Sequence, residues 1–287
     1  MRQPVLMVVL AFCLFSQYTF AQTAATEPEK YTAHNKGKFF VYWGGNRDSF
    51  TKSDINFHGD GYNFTLQDVE AHDKPKGWNI DYVNPGRMTI PQTNFRIGYF
   101  VSDHYNISIG VDHMKYVMTT DQTVNMNGYI QQPDGTPGSA FNGIYNNVPM
   151  VMTKDFLQYE HTDGLNYINA EVARVDDVLK LFKVANNSDI FQLNLTEGMG
   201  AGVLYPRTNT TLMGMQRHDE FHISGYGVSA KAGLNLTFFK HFFIQGELKG
   251  GYIEMNDIRT TYEGIDRASQ HFMFLQRIIT VGGIFRV

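Results

Sequence analysis

Residues 222–287 read HISGYGVSAKAGLNLTFF, a KH break, FFIQGELKGGYIEM, a polar segment, and HFMFLQRIITVGGIFRV. In the first run Tyr226, Val228, Ala230, Ala232, Leu234, Leu236 and Phe238 share one side of a two-residue period. Gly225, Gly227, Ser229, Lys231, Gly233, Asn235 and Thr237 share the other. Only a strand separates two such sets. The next run carries Gln245, Glu247 and Lys249 in the same phase, and the last ends with Ile279, Val281, Gly283, Phe285 and Val287 on one face. Long strands with one continuous apolar face and a small, polar, charged opposite face suit a closed barrel with lipid outside and a filled polar interior.

Upstream, the chain opens with a basic MRQP, an apolar run from Val5 to about Phe15, and small residues at Thr19 and Ala21. These are the parts of a secretory signal peptide at 1–21, cut before Gln22. A short segment at 22–36 follows, and a single barrel domain is expected over 37–287. The one cysteine, Cys13, lies in the leader. Its LAFC context has Phe12 where a lipoprotein box needs a small residue, so the mature chain has no thiol chemistry. Mean hydropathy is −0.29, and no later run of about 18 apolar residues offers a helical span. The 27 Gly, 16 Tyr and 22 Phe suit interfacial girdles around a narrow interior. A net charge of −4 with no basic stripe gives no footprint for nucleic acid.

Strand number follows from parity, because both ends of such a barrel lie on the side of its short turns. Counting back from the end, strands are expected at 271–287, 242–256, 222–238, 190–205, 156–174, 104–118, 95–101 and 37–46. A longer, part-helical turn falls at 175–189. Residues 61–71, GYNFTLQDVEA, would make nine and part the two ends, so they are expected as a β segment above the membrane. The fold class is therefore all-β: an eight-stranded antiparallel transmembrane β-barrel with long external excursions at 47–93 and 119–155. The second excursion, rich in Gly, Pro and Asn, is expected to be irregular.

A barrel of eight strands is filled by its own side chains. The inward candidates are Arg96, Asn106, Ser108, Asp112, Gln158, Glu160, Asn169, Glu171, Gln192, Asn194, Lys231, Glu247, Lys249 and Arg286. Of these, Arg96, Asp112, Glu160, Glu171, Lys231, Glu247 and Lys249 form the expected charged lumen network. Acids and bases balance, so mutual pairing is the plain reading and a polar path the alternative. Glu197 shares phase with Leu195 and Met199. Either a bulge at 196–198 turns it inward or it is a lipid-facing acid.

The leader, the strand phase, the count of eight and the terminal GGIFRV resemble the outer-membrane β-barrels of Bacteroidota, within the broad group of small barrels related to OmpA, OmpW and the lipid A deacylase PagL. The resemblance covers roughly 37–287. It implies outer-membrane localisation after export and contact with outer-membrane lipid and lipopolysaccharide. Members of the group include anchors, small-molecule conduits and lipid-modifying enzymes, and fold alone does not choose among them. Deacylases of this group imply a His and a Ser two residues apart on a strand, with a Glu assisting. Here His161 is followed two residues on by Asp163, and Thr162 points to the opposite face. Glu171 lies ten residues downstream, roughly 33 Å away on a regular strand, beyond the reach that a nucleophilic triad needs.

His161 and Asp163 are left as weak catalytic candidates, or as rim residues for sugar, phosphate or a divalent ion. HDEFH at 218–222 lacks the helix and third ligand of a metal site, and no cofactor motif is present. DKPKGW at 73–78 offers two lysines and an aromatic to anionic glycolipid. The leading expectation is a non-enzymatic outer-membrane protein that meets an envelope or extracellular partner through 47–93 and 119–155. A small-molecule conduit is the first alternative, and a lipid A-modifying acyl hydrolase is the second.

Overall fold

A strand buried in lipid satisfies its backbone only by pairing on both edges, and a sheet in lipid does so only by closing. In the computed structural model, which describes residues 34–77, 81, 91–182, 184, 187, 189–215 and 220–287, that closure is present. The expected leader lies outside the described residues. In chain order the strands are β1 (Phe39–Phe50), β2 (Ser53–Gly59), β3 (Tyr62–Val69), β4 (Ala71–His72), β5 (Thr93–Phe100), β6 (Tyr105–Met118), β7 (Thr123–Ile130), β8 (Gly143–Val151), β9 (Leu157–Asp177), β10 (Phe191–Leu204), β11 (Asn209–Leu212), β12 (Gly225–Phe238), β13 (Phe242–Arg259) and β14 (Arg267–Phe285).

Eight of them form the ring β1-β5-β6-β9-β10-β12-β13-β14. It closes through β14 on β1, from Phe39↔Phe285 to Phe50↔Phe274. The protein is an eight-stranded antiparallel transmembrane β-barrel. One end carries the short connections 101–104 and 239–241 and the four-residue helix α1 (Val178–Leu181). At that end Phe39, Tyr99, Tyr105, Phe242 and Phe285 face outward, and at the other end Tyr205, Phe221, Tyr226 and Tyr252 do. Between these girdles Ile97, Ile109, Leu234, Leu248 and Val281 are exposed on the outer wall, as a lipid-facing band requires.

Beyond the second girdle the strands continue as a crown. There β14 pairs with β2, β2 with β3, β3 with β7 and β7 with β8, while β11 pairs with the start of β9 and β4 with the end of β6. Residues 61–71 thus supply a strand outside the ring, as expected. The irregular excursion expected at 119–155 is corrected: β7 and β8 pair from Thr123↔Val151 to Ile130↔Gly143. Val124, Met126 and Ile130 face a core there, and that alternation outweighs the turn residues around it.

The faces exchange polarity at the membrane boundary while keeping their phase. Along β6 the inward positions run Asn106, Ser108, Gly110, Asp112, then Met114, Tyr116, Met118; along β13 they run Gln245, Glu247, Lys249, then Ile253, Met255. In the membrane the apolar face must meet lipid, whereas in water it must turn to the core. The crown therefore has a continuous core in which Ile55, Phe57, Phe64, Leu66, Phe156 and Leu157 are fully or almost fully buried.

Candidate functional site

The barrel's middle is a closed set of charges. Inward positions on neighbouring strands meet across a lumen narrow enough for direct contact, and three bases face three acids. Glu171 is the hub: its carboxylate lies 2.9 Å from the Arg96 guanidinium, 2.6 Å from Lys249 Nζ and 2.7 Å from Lys231 Nζ. Lys249 also meets Asp112 at 2.7 Å, and Lys231 meets Glu247 at 3.0 Å. Neutral groups complete the shell. Arg96 donates to the Tyr42 hydroxyl, Ser108 Oγ and Asn169 Oδ1 at 3.0, 3.2 and 2.6 Å. Asn94 and Asn169 donate to Asp112 at 2.7 and 3.0 Å. Gln245 donates to Glu247 at 2.9 Å.

Glycines make the room. A Cβ on inward-facing Gly110 would stand 3.0 Å from the Arg96 guanidinium carbon, and one on Gly200 would stand 2.7 Å from Glu171 Cγ. Large charged side chains fill the space that these two positions leave empty.

Of the expected network, Arg96, Asp112, Glu171, Lys231, Glu247 and Lys249 come together, and Glu160 does not. It faces outward in the crown, where Lys74 lies 3.2 Å away and Asn209 Nδ2 donates to it at 2.8 Å. Gln158 is exposed beside it. Both were placed inward because polar residues line the lumen, but this part of β9 stands in water, where polar residues face out. Arg286, also expected inside, is exposed past the end of β14 and donates to Lys36 O at 3.2 Å. Glu197 is not turned in by a bulge: Leu195↔Leu234, Thr196↔Gly233 and Glu197↔Ala232 run unbroken. Its carboxylate stays on the outer wall, where Arg174 on β9 is its register partner.

Below the charges, on the turn side, a cavity of about 40 Å³ is lined by Asn194, Thr196, Asn235, Thr237, Gln245 and apolar neighbours. At a water's need of roughly 10–15 Å³, it has room for about three waters and nothing larger. Above the charges stand Tyr167, Leu165, Met114, Phe272 and Phe274, all buried in the crown core. Polar and apolar layers thus fill the lumen in succession.

His161 belongs to this upper layer. Its Nδ1 lies 2.9 Å from Thr208 Oγ1, and its ring packs 4.9 Å from Tyr159 and 5.7 Å from Tyr116. Asp163 sits half-buried on the strand two positions away and is not brought to it. Burial pushes the His161 imidazole down to about 3. The unfolded chain therefore takes up a proton below about 6.5 that the folded crown refuses until about pH 3. Between those values crown stability is expected to fall as pH falls, by roughly 1.4 kcal/mol per pH unit from this residue. Chemical unfolding of the crown followed across pH 7 to 4 checks this. His161→Phe should flatten the slope by that amount, and an unchanged slope would remove the assignment. Of HDEFH, His222 reaches Asp257 at 2.6 Å, and 216–219 lie outside the described residues.

No protein-family model and no curated protein sequence matches this chain. Among solved structures it is similar to the outer membrane protein AlkL in lipid bilayers, with TM-score 0.41 and 9% identity over 92% of this chain and 98% of that one. It is also similar to OprG from Pseudomonas aeruginosa, with TM-score 0.36 and 9% identity over 88% and 98%. The attachment invasion locus protein Ail of Yersinia pestis follows at TM-score 0.33 and 11% identity over 87% and 99%. These likenesses are distant, and the barrel stands on its own closed register.

Proposed function

We propose that this protein is a non-enzymatic outer-membrane barrel that acts through its crown, holding a folded β surface for an envelope or extracellular partner. The observation that carries the reading is the order of layers in the lumen: a small polar-lined cavity, paired charges, then a dry core continuous with the crown. Such a barrel serves as a stalk, and its distinct surface is outside. On that surface the β7–β8 hairpin exposes Tyr129, Ile144, Val148 and Val151, with Ile144 at 89% exposure, an apolar group of the kind that marks interaction sites. The affinity with Bacteroidota barrels and export by a leader ending at Ala21 belong to the same proposal, resting on strand phase, GGIFRV and the leader's composition.

The buried His161, enclosed by tyrosines, gives the acyl-hydrolase reading no support. The filled lumen gives none to the conduit. The test is a photo-crosslinking residue at 144 in intact cells, combined with planar-bilayer recordings of the purified barrel. A discrete adduct at 144 with no stable conductance is expected. Steady channels with no adduct would replace this reading with the conduit, and altered lipid A acylation on overexpression would replace it with the enzyme.

A further inference from the structure

Two carboxylates and three amides meet where β1 passes from the ring into the crown. Asp48 continues the inward phase of Tyr42 and Asn46, and its register partner on β14 is Gln276. Gln92, just ahead of β5, is tied to the same wall, since Asn46 N donates to its carbonyl at 3.4 Å. Asp73, just past β4, closes the group from the crown: its Oδ2 accepts from the Asp48 backbone N–H at 2.9 Å. Gln92 Nε2 donates to Asp48 Oδ2 at 3.0 Å and also to Asp73 Oδ1, so one amide bridges both acids.

Neither acid is neutralised by a neighbour. The three bases of the lumen are matched by Asp112, Glu171 and Glu247, and among the described residues neither Asp48 nor Asp73 has a basic side chain within ion-pair distance. Lys115 acts on Asp73 through space without entering the group. Asp48 is 4% exposed, so little water reaches it, and a like charge beside a buried carboxylate opposes its ionisation. The oxygens around the pair are also short of donors. Asp48 Oδ1, Gln92 Oε1 and Asn46 Oδ1 accept no hydrogen bond among the described residues, and neither amide atom of Gln276 completes one, although Gln276 lies against the Asp48 carboxylate. Asn46, Asp48, Gln92 and Gln276 are all more than nine-tenths buried, where polar groups are ordinarily satisfied.

We propose that Asp48, Asp73, Gln92 and Gln276 bind a calcium ion. Carboxylate and amide oxygens are the ligands that a hard cation takes, and a divalent charge balances the two acids. Calcium accepts six to eight oxygens in irregular geometry, whereas magnesium demands a near-ideal octahedron and keeps its waters. Turning the Gln92 amide end for end exchanges the donor that both acids now share for a ligand oxygen. Asp73 is half-buried and opens the group to the outside medium, while Asp48 belongs to the barrel wall. The ion fastens the crown segment after β4 to the ring, whatever partner the crown holds.

Equilibrium dialysis of the folded barrel in non-ionic detergent against radioactive calcium tests the site. One ion per chain is expected, with a dissociation constant of about 0.1–1 mM, the range of extracellular calcium modules. Asp48→Asn and Asp73→Asn should each weaken binding about ten-fold or more, because affinity follows the charge of the ligands. Urea unfolding separates a ligand from a structural prop. After EDTA treatment, Asp48→Asn should unfold at a urea concentration no lower than the parent's, since it removes a buried charge. Calcium at about 10 mM should raise the parent's midpoint, as a ligand of the folded state does, and leave the variant's where it was. No bound ion in the parent, full binding retained in both variants, or displacement of the calcium by an equal concentration of magnesium would each overturn the assignment.

Discussion

Glu171→Gln is expected to destabilise the folded barrel by about 3–5 kcal/mol, read as a shift in the midpoint of urea unfolding from vesicles. Three cations converge on this one carboxylate. Without it, Arg96, Lys231 and Lys249 face only Asp112 and Glu247, and one buried positive charge is left without compensation. The amide keeps the volume of the side chain, so a cavity does not enter the comparison. A second change sharpens the result. Lys249→Met in the same chain restores charge balance, and Asp112 then still accepts from Asn94 and Asn169. The double variant should recover a large part of the loss, as coupled residues in one network do. If Glu171→Gln costs less than about 1 kcal/mol, the range of solvated surface pairs, the lumen is wet and the layered filling described above fails.

The second large effect is on the outer wall. Leu248 is 55% exposed there, six residues from Phe242 and four from Tyr252 along β13, well inside the band between the girdles. Leu248→Arg is expected to cost about 2–4 kcal/mol in a bilayer. The position is unusually severe because its β14 partner is Arg277, so the new guanidinium stands beside one already present. The same substitution in a water-exposed strand of the crown should stay within about 0.5 kcal/mol.

The ring was legible in the sequence because each of its strands carries a period-two signal longer than a soluble strand needs, and because parity of the ends rejects a ninth member. The hub of the lumen was legible for the same reason: Glu171, Lys231, Glu247 and Lys249 each interrupt nothing on the apolar face. What misled was the assumption that one rule of facing holds along a whole strand. In β9, Asn169 and Glu171 are inward because that segment is in lipid, whereas Gln158 and Glu160 are outward because theirs is in water. Leu157, Tyr159 and Leu165, apolar and in phase with Glu171, were the signal that the strand had left the membrane. The β7–β8 hairpin was hidden for a related reason, since Asn125 and Asn127 looked like turn residues when they were the solvent face of a strand. Glu197 shows the opposite error: a bulge was expected to spare a carboxylate from the outer wall, and the register simply leaves it there.

The most direct measurement is the facing of two adjacent residues in the folded protein. Cys13 is the only native cysteine, so a chain starting at Gln22 carries no background thiol, and single cysteines at 248 and 249 can be compared in bilayers with a lipid-soluble maleimide. Lys249 is fully buried among the lumen charges, while Leu248 points outward. Rapid labelling at 248 with protection at 249 is the result expected of a filled barrel in this register. Labelling at 249 with protection at 248 would exchange lumen for lipid along β13 and contradict the structure of the site.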